Sequence, residues 1–375
     1  MRKLGIGLIG TGFMGKSHAM AWRAAASLSG EIQPVLVGVA DIDGAAAERC
    51  AQQFGFQRWT SRWQDLIDDP EIDVISITSP NRFHAEQSLA AMAAGKHVHC
   101  EKPLAPDRDT AERMARGAAA AGVLTQVGFN YLKNPLLKLA QQMIVNGDIG
   151  EITGFRGIHA EDFMASPEIP WSWRLDPCGG AGAVADLGSH ILAMARFLLG
   201  PIVELFADLE TVVKARPEKV GSSVMRTVEV DDIARLTVKF ARGCRGHIEA
   251  NWVATGHKMQ LGFEVTGTKG ALIFNQERFN ELQYFRCSVS EGQNGFTTIV
   301  AGPEHAPYGL FCPAPGHQIG FNDLKTIEML EFLQSIHKGK AQGPDFHEAF
   351  EVQMLVDAAV RSSRERSWVT IPPQK

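Results

Sequence analysis

The sequence predicts an α/β protein in two parts: an N-terminal doubly wound parallel sheet, then an α+β domain built on a large, open-faced, mainly antiparallel sheet. Three observations lead there. Up to residue 128, short apolar runs alternate with helix-compatible stretches, as strands joined by right-handed helical crossovers do. Beyond it, runs alternate apolar and polar residues with period two between short Gly-containing turns, which marks antiparallel strands with one buried face. A chain of 375 residues also exceeds one average domain. The expected division is 1–128 and 129–375.

Composition bounds the function. Hydrophobic residues make up 45% and charged residues 21% of the chain, ordinary for a soluble globular protein. With 37 basic and 42 acidic residues the net charge is −5 and no basic block stands out, so nucleic acid is not an expected partner. The six cysteines (50, 100, 178, 244, 287 and 312) include no CxxC pair, which suggests reduced thiols. The apolar run after Met1-Arg2-Lys3 is broken by Gly5, Gly7 and Gly10, and no membrane-spanning stretch stands out. The expected location is cytoplasmic, with no membrane partner.

The run 4–9 is the first strand, and Gly10-Thr11-Gly12-Phe13-Met14-Gly15 follows directly, ahead of a helix over 16–26. Between strand and helix this GxGxxG has a mechanism. Gly10 permits the tight turn, Gly12 lets the backbone approach a pyrophosphate, and Gly15 allows close helix–strand packing. The helix N-terminus supplies N–H groups to the phosphates. Gly10 to Gly15 are therefore candidate cofactor contacts in a Rossmann domain. The second strand, 35–40, ends at Asp41. An acid there binds the ribose hydroxyls and repels a 2′-phosphate, and no Arg follows closely, so NAD is favoured over NADP. Asp43 is the alternative ribose partner, and one of the two acids reads equally as the cap of the next helix.

A helix over 45–54 leads to a strand over 73–78 that ends in Ser79-Pro80-Asn81, and His84 opens the helix 84–94. The next strand, 97–100, closes on Glu101-Lys102-Pro103, and a helix (107–121) and strand (124–128) complete the pattern. Strand ends of such sheets face the ligand crevice, and an X–Pro bond readily accommodates a tight turn. Taken alone, Lys102 reads equally as a surface lysine ending a strand. His97 and His99 share a strand face with no third ligand in view, so packing is the reading and no metal is expected.

In the second part, period-two runs cover 204–213, 228–240, 244–254 and 259–265, and helical patterns cover 323–337 and 346–362 before an apolar segment at 368–371. Within the Gly-rich segment that begins at Gly179-Gly180, Asp186 and His190 stand four apart, on one face of a helix. Val184, Leu187, Ile191, Met194 and Leu198 form its apolar stripe. A carboxylate one turn from an imidazole orients it for proton transfer; the plain alternative is a helix-surface hydrogen bond. Tyr131, Arg156, His159, Trp173 and Arg174 are weaker candidates for sugar contacts, each reading equally as core or interface.

These parts, in this order, resemble the Gfo/Idh/MocA family (glucose–fructose oxidoreductase, inositol dehydrogenase and rhizopine-catabolism enzymes). The resemblance spans nearly the whole chain. It rests on Gly10 to Gly15, Ser79-Pro80-Asn81 with His84, Glu101-Lys102-Pro103, Gly128-Phe129-Asn130, Trp173-Arg174 and Gly179-Gly180 with Asp186 and His190. It implies an NAD-dependent oxidoreductase that moves hydride between a ring hydroxyl or carbonyl carbon of a sugar, anhydrosugar or cyclitol and the nicotinamide. It implies Lys102, Asp186 and His190 as catalytic residues. Ser79, Pro80, Asn81, His84, Glu101 and Lys102 become further cofactor contacts, and Lys102, Tyr131, His159, Trp173, Arg174, Asp186 and His190 line the substrate. A homodimer or homotetramer formed through the second sheet is also implied. Inositol dehydrogenases of the family often carry an acid three residues after the His; here that position is Ala193, which argues against myo-inositol. An NAD-dependent glycosidase and a non-catalytic NAD-binding sensor are the competing readings.

Overall fold

The structure is a computed structural model and describes residues 2–180, 182–287 and 291–373. In chain order the first elements are β1 (Arg2–Ile9), α1 (Phe13–Leu28), β2 (Ile32–Ala40), α2 (Gly44–Phe54), β3 (Arg58–Thr60), α3 (Gln64–Ile67), β4 (Val74–Ile77), α4 (His84–Ala93), β5 (His97–Cys100), α5 (Arg108–Ala121) and β6 (Thr125–Val127). Then come α6 (Pro135–Asn146), β7 (Ile152–Ala160), α7 (Ser189–Leu199), β8 (Ile202–Glu210), β9 (Ala215–Pro217), β10 (Met225–Thr227), β11 (Ile233–Phe240) and β12 (Arg245–Asn251). The chain closes with β13 (Gln260–Gly267), β14 (Gly270–Asn275), β15 (Glu281–Arg286), β16 (Thr297–Val300), α8 (Phe321–Lys338), α9 (Phe346–Glu365) and β17 (Val369–Thr370).

The chain divides into two compact units, Met1–Lys133 with Gly320–Phe350, and Asn134–Ile319 with Glu351–Lys375. The first holds a six-stranded sheet in the order β3-β2-β1-β4-β5-β6, all parallel. Every residue of β4 is buried, its one polar residue Ser76 included, as a strand covered on both faces requires. The Rossmann arrangement of the N-terminal part is thus present. The division at residue 128 needs correction at the other end of the chain: α8, expected in the second part, belongs to the first unit. The reason is a set of long-range bonds to β5, β6 and the turn after them. Lys325 of α8 bonds Glu101 at 2.6 Å, Gln126 of β6 donates to the carbonyl of Glu328, and Lys133 pairs with Glu331.

Helices α1 and α8 run side by side in the same direction. The rings of Phe13 and Phe321, which open the two helices, stack at 6.1 Å. One to two turns further on, His18 and Lys325 meet at the same oxygen of Glu101.

The second unit holds a nine-stranded sheet in the order β16-β15-β14-β13-β7-β12-β11-β8-β17 and a small β10-β9 ribbon. Among the described residues its one parallel pairing is β12 with β7. The mainly antiparallel sheet expected from period-two runs is present, but β7, β14, β15 and β16 were not among the strands read from the sequence. One face carries the apolar side chains and packs under α7; Gly157 of β7 lies so close to Ile191 that a Cβ there would sit 2.8 Å from it. The other face is a lattice of cross-strand ion pairs, Arg156–Glu264, Arg235 with Asp208 and Glu210, and Lys239–Glu204. Residues Pro177–Leu199 are long and apolar enough in composition to cross a membrane, which the sequence reading overlooked; 83% of that stretch's most apolar window is buried inside the protein, as in a core helix.

Asp232 is the hub of this unit's interior. Its Oδ2 accepts the N–H groups of Val212 and Val213 at 2.7 and 2.8 Å, and its Oδ1 accepts Trp252 Nε1 at 2.6 Å. The fully buried Arg216 guanidinium lies 4.0 Å away and donates to the carbonyls of Ser166 and Met164. Removing one partner of a buried pair strands the other charge. Asp232→Ala is expected to lose roughly 3–5 kcal/mol of stability and Asp232→Asn distinctly less, because it keeps an acceptor; urea denaturation of the two variants is the check.

Candidate active site

In the first unit the glycine turn has the shape its motif predicts. Gly10 has φ +97°, and its N–H donates to the Ala40 carbonyl at 2.8 Å, tying the ends of β1 and β2. A Cβ on Gly15 would lie 2.1 Å from the Gly10 carbonyl oxygen, whereas one on Gly12 would meet nothing within 4 Å. The motif thus packs tightly on one side and leaves an open cradle on the other. The helix starts at Phe13, three residues earlier than the sequence pattern suggested, with Gly12 at its N-cap and no side-chain cap. Its first N–H groups have no partner within the helix and lie at the positive end of its dipole. A pyrophosphate fits this cradle. Phe13 is 74% exposed, and Tyr131 packs at 6.2 Å on the same Phe321 ring that Phe13 stacks against.

Asp41 and Asp43 divide the work the sequence left open between them. Asp43 caps α2 by accepting the N–H groups of Ala45 and Ala46. Asp41 is fixed at the end of β2: its Oδ2 accepts both the N–H and the hydroxyl of Thr11, at 2.8 and 2.6 Å, and its Oδ1 accepts Asp43 N–H at 3.0 Å.

The turns after β4 and β5 are cross-braced. Asn81 is buried in a short 3₁₀ turn, and Ser79 donates to Gln87. His84 sits between two carbonyls, Nδ1 at 3.0 Å from Pro103 O and Nε2 at 2.8 Å from Ser79 O. Burial holds its pKa below the ordinary histidine value. His84, expected among cofactor contacts, therefore uses both ring nitrogens on its own backbone. Glu101, expected there too, is likewise turned inward. Its Oε1 meets His18 Nε2 at 2.9 Å and Lys325 Nζ at 2.6 Å, and its Oε2 accepts the Lys102 N–H at 3.1 Å. Gly128 backs onto this carboxylate; a Cβ there would lie 2.6 Å from Glu101 Oε1. The Lys102–Pro103 bond is cis.

The network extends inward. Ser76 Oγ lies 2.9 Å from His18 Nδ1 and accepts Trp22 Nε1 at 3.2 Å, so the bonding pattern assigns the His18 proton to Nε2, facing Glu101. Lys325 also pairs with Glu328 at 2.7 Å, and His99 packs edge-on to His18 at 4.9 Å. Burial, with Lys325 adding to it, pushes His18 down to about 4. Burial is the largest influence on Glu101 and Glu328 and opposes their charge, but Lys325 together with His18 at Glu101 and with His99 at Glu328 outweighs it, leaving Glu101 well below 4.5 and Glu328 at about 2.

In the second unit, Asp186 lies in a π-helical turn, Val184–Gly188, that runs into α7. The sequence pattern suggested a regular helix; π turns are rare and favour functional sites. Asp231 anchors the turn, its Oδ2 accepting Val184 N–H at 2.8 Å and its carbonyl accepting Ala183 N–H at 2.9 Å. Gly182, at φ +102°, must be glycine, since a Cβ would lie 2.2 Å from Asp231 Oδ1. Burial raises Asp231 to about 7. Arg174 Nε donates to Asp186 Oδ2 at 3.2 Å while its guanidinium lies over the Trp173 ring at 4.5 Å. The His190 and His159 rings pack at 5.5 Å. His159 spans from the Leu187 carbonyl (2.9 Å) to Glu161 (3.0 Å).

This unit thus gathers His159, Trp173, Arg174, Asp186 and His190 around one turn. Arg156 stands apart, on the opposite face of β7 with Glu264, because residues three apart on a strand point to opposite faces. Glu161 was missed; its one sequence signal is a position two after His159. Among the described residues no group of three or more His, Cys, Asp or Glu is placed to hold a metal ion.

Comparison with known proteins fixes the class. Residues 4–129 match the oxidoreductase family with an NAD-binding Rossmann fold, and residues 137–273 match the GFO/IDH/MocA C-terminal domain. The levoglucosan dehydrogenase of Pseudarthrobacter phenanthrenivorans is 37% identical over 99% of this chain and 99% of its own. A solved levoglucosan dehydrogenase, in complex with NADH and levoglucosan, superposes with TM-score 0.95 at 38% identity over 99% of this chain and all of the other. An NAD-binding oxidoreductase from Klebsiella pneumoniae superposes with TM-score 0.94 at 42% identity, over 99% of this chain and 100% of its own. The chain is an NAD-dependent oxidoreductase. It belongs to the Gfo/Idh/MocA family, whose members include sugar and inositol dehydrogenases.

The buried network sets an acid limit on stability. Because His18 titrates at about 4 in the folded chain and near 6.5 in the unfolded one, the unfolded chain holds the extra proton between those values, and stability falls as pH drops through that window. Glu101 and Glu328 act below it: their contribution is present above 4.5 and is lost as pH falls toward about 2. His18→Gln is expected to remove about 2 kcal/mol of the stability difference between about pH 7 and pH 5. Thermal unfolding at the two pH values checks this, and equal slopes for variant and parent would refute it.

Proposed function

We propose that this protein oxidises a secondary ring hydroxyl of an anhydrosugar of the levoglucosan type with NAD⁺, using Lys102 and His190 as the proton relay. The observation that carries the reading is the likeness to levoglucosan dehydrogenase over the full length of both chains. Ala193, in place of the acid frequent in inositol dehydrogenases, supports an anhydrosugar over myo-inositol. Bound NAD⁺ supplies the hydride acceptor. His190 takes the hydroxyl proton, Asp186 orients the imidazole, and Lys102 donates a hydrogen bond to the developing alkoxide. Such acid–base assistance is typically worth about 10²–10⁴-fold. Arg174 holds the Asp186 carboxylate in place by pairing with it, and Trp173 offers a face to the sugar ring. Asp41 binds the adenosine ribose and disfavours a 2′-phosphate.

A second copy of the chain covering the charged outer face of the nine-stranded sheet fits this reading. A groove of about 670 Å³ there is lined by Arg156, Asp208, Arg235, His247, Glu249 and Glu264 among others, a mixture of signs suited to a self-complementary contact.

With NAD⁺ and levoglucosan, NADH absorbance is expected to rise, and myo-inositol to give distinctly less. Release of a chromogenic aglycone without net NADH would point to the glycosidase instead, and binding of NAD⁺ without turnover of any sugar to a sensor. Lys102→Met and His190→Ala are each expected to lose at least about 10²-fold in kcat with NADH still bound; near-parental turnover in either would sink its assignment. Asp41→Ala is expected to lower kcat/KM for NAD⁺ by about tenfold and to raise use of NADP⁺, read from parallel assays with the two cofactors.

A further inference from the structure

Lys325 belongs to no motif, yet it is fully buried and reaches a carboxylate 224 residues away in the chain. A buried Lys–Glu pair is a poor device for stability alone, since apolar residues of similar volume often serve as well or better. The geometry of Glu101 supplies another use. One oxygen receives His18 from α1 and Lys325 from α8; the other receives the N–H of Lys102. The carboxylate therefore cannot turn without releasing either two buried donors or the backbone of Lys102. Gly128 closes its remaining side, and Pro103, the next residue but one, is itself held by His84. An apolar pair would fill the same space and hold nothing.

We propose that Lys325 and His18 are positioning residues for Lys102, acting through Glu101 to fix the backbone that carries the lysine. The inference rests on the reading of Lys102 as the relay lysine. It also couples two parts of the first unit. The helix that bears His18 starts at the glycine turn, so the phosphate cradle and the Lys102 backbone are braced by one carboxylate. Misplacing a reacting group by about an ångström through a distant change can cost about 10²-fold in rate.

The test uses the full-length enzyme and three variants: Lys325→Met, the triple variant Glu101→Gln/Lys325→Met/Glu328→Gln, and Lys102→Met. Lys325→Met is expected to lose roughly 10–100-fold in kcat with the sugar KM changed less than about threefold. In the cofactor-free protein, amide exchange of the segment 98–106 is expected to quicken, a readout that needs no turnover. The triple variant removes both acids that Lys325 answers to and leaves no unpaired buried charge, so its thermal midpoint is expected to recover while kcat stays low and exchange stays fast. Recovery of kcat together with the midpoint would reduce Lys325 to a structural role and overturn the inference, as would parental kcat and exchange in a folded Lys325→Met. If that single variant does not fold, the triple variant decides by the same criteria. Lys102→Met separates the two levels. Loss of turnover there with unaffected Lys325 variants overturns the positioning role alone. Retained turnover in Lys102→Met overturns the relay reading, and the exchange rates then still decide whether Lys325 holds this backbone.

Discussion

One carboxylate organises the first unit. Glu101 draws donors from α1, from α8 and from the backbone one residue ahead of it, so a strand end, the cofactor helix and a helix from the far end of the chain converge on two oxygens. The energetics explain why this is all or nothing. Desolvating a carboxylate and an ammonium costs several kcal/mol for each ion, and only good geometry with further hydrogen bonds offsets that cost. Glu101 meets three donors and Lys325 two acids, whereas Glu328 is met by the Lys325 charge with neither of its oxygens hydrogen-bonded. A partial network would be worse than an apolar core.

The second unit solves a related problem with two adjacent acids in different roles. Asp232 is a hub for turn backbone, Trp252 and Arg216. Asp231, with burial raising it to about 7, holds the start of the π turn through backbone bonds. A π turn gives up regular helical bonding, so it persists where outside groups meet the displaced backbone. Here Asp231 meets Val184 and Ala183 at its start, and His159 meets the Leu187 carbonyl near its end. The turn that carries Asp186 is thus braced at both ends.

What could be read from the sequence was what depends on neighbours in the chain. The glycine turn, the strand ends and the period-two runs are local patterns, and each appears where its residues put it. The two acids at 41 and 43 show the limit of such reading: both fit the capping role, and only the fold shows that Asp43 is the one that accepts the N–H groups of Ala45 and Ala46. Strand β7 was missed because Gly154 and Gly157 interrupt its apolar pattern, although that pattern carries the central strand of the sheet. The inward turn of Glu101 and His84, the place of α8 and the part played by Glu161 were out of reach for another reason. Their partners lie elsewhere in the chain or are backbone carbonyls, and nothing in local composition marks them. His18, in the helix after the glycine turn, and Glu101, in the motif 83 residues on, carry no sign in the sequence that they touch.

The neutral state of His18 bears on how acid acts on this enzyme. A histidine base ordinarily titrates near 6.5, and the destabilising window of His18 begins at the same pH and extends down to about 4. On the proposed relay, activity lost below neutrality has two separable sources, protonation of the base and weakening of the fold around Glu101. They differ in kind: the first follows pH reversibly at once, whereas the second acts through the population of unfolded chains and is offset by any ligand that binds the folded state. NADH, bound at the glycine cradle, would relieve the second and leave the first. Near pH 7 neither operates fully, because His18 is uncharged and Glu101 remains paired with Lys325. The network is thus at its tightest near pH 7, where His18 is neutral, Glu101 is charged and its second oxygen holds the Lys102 backbone.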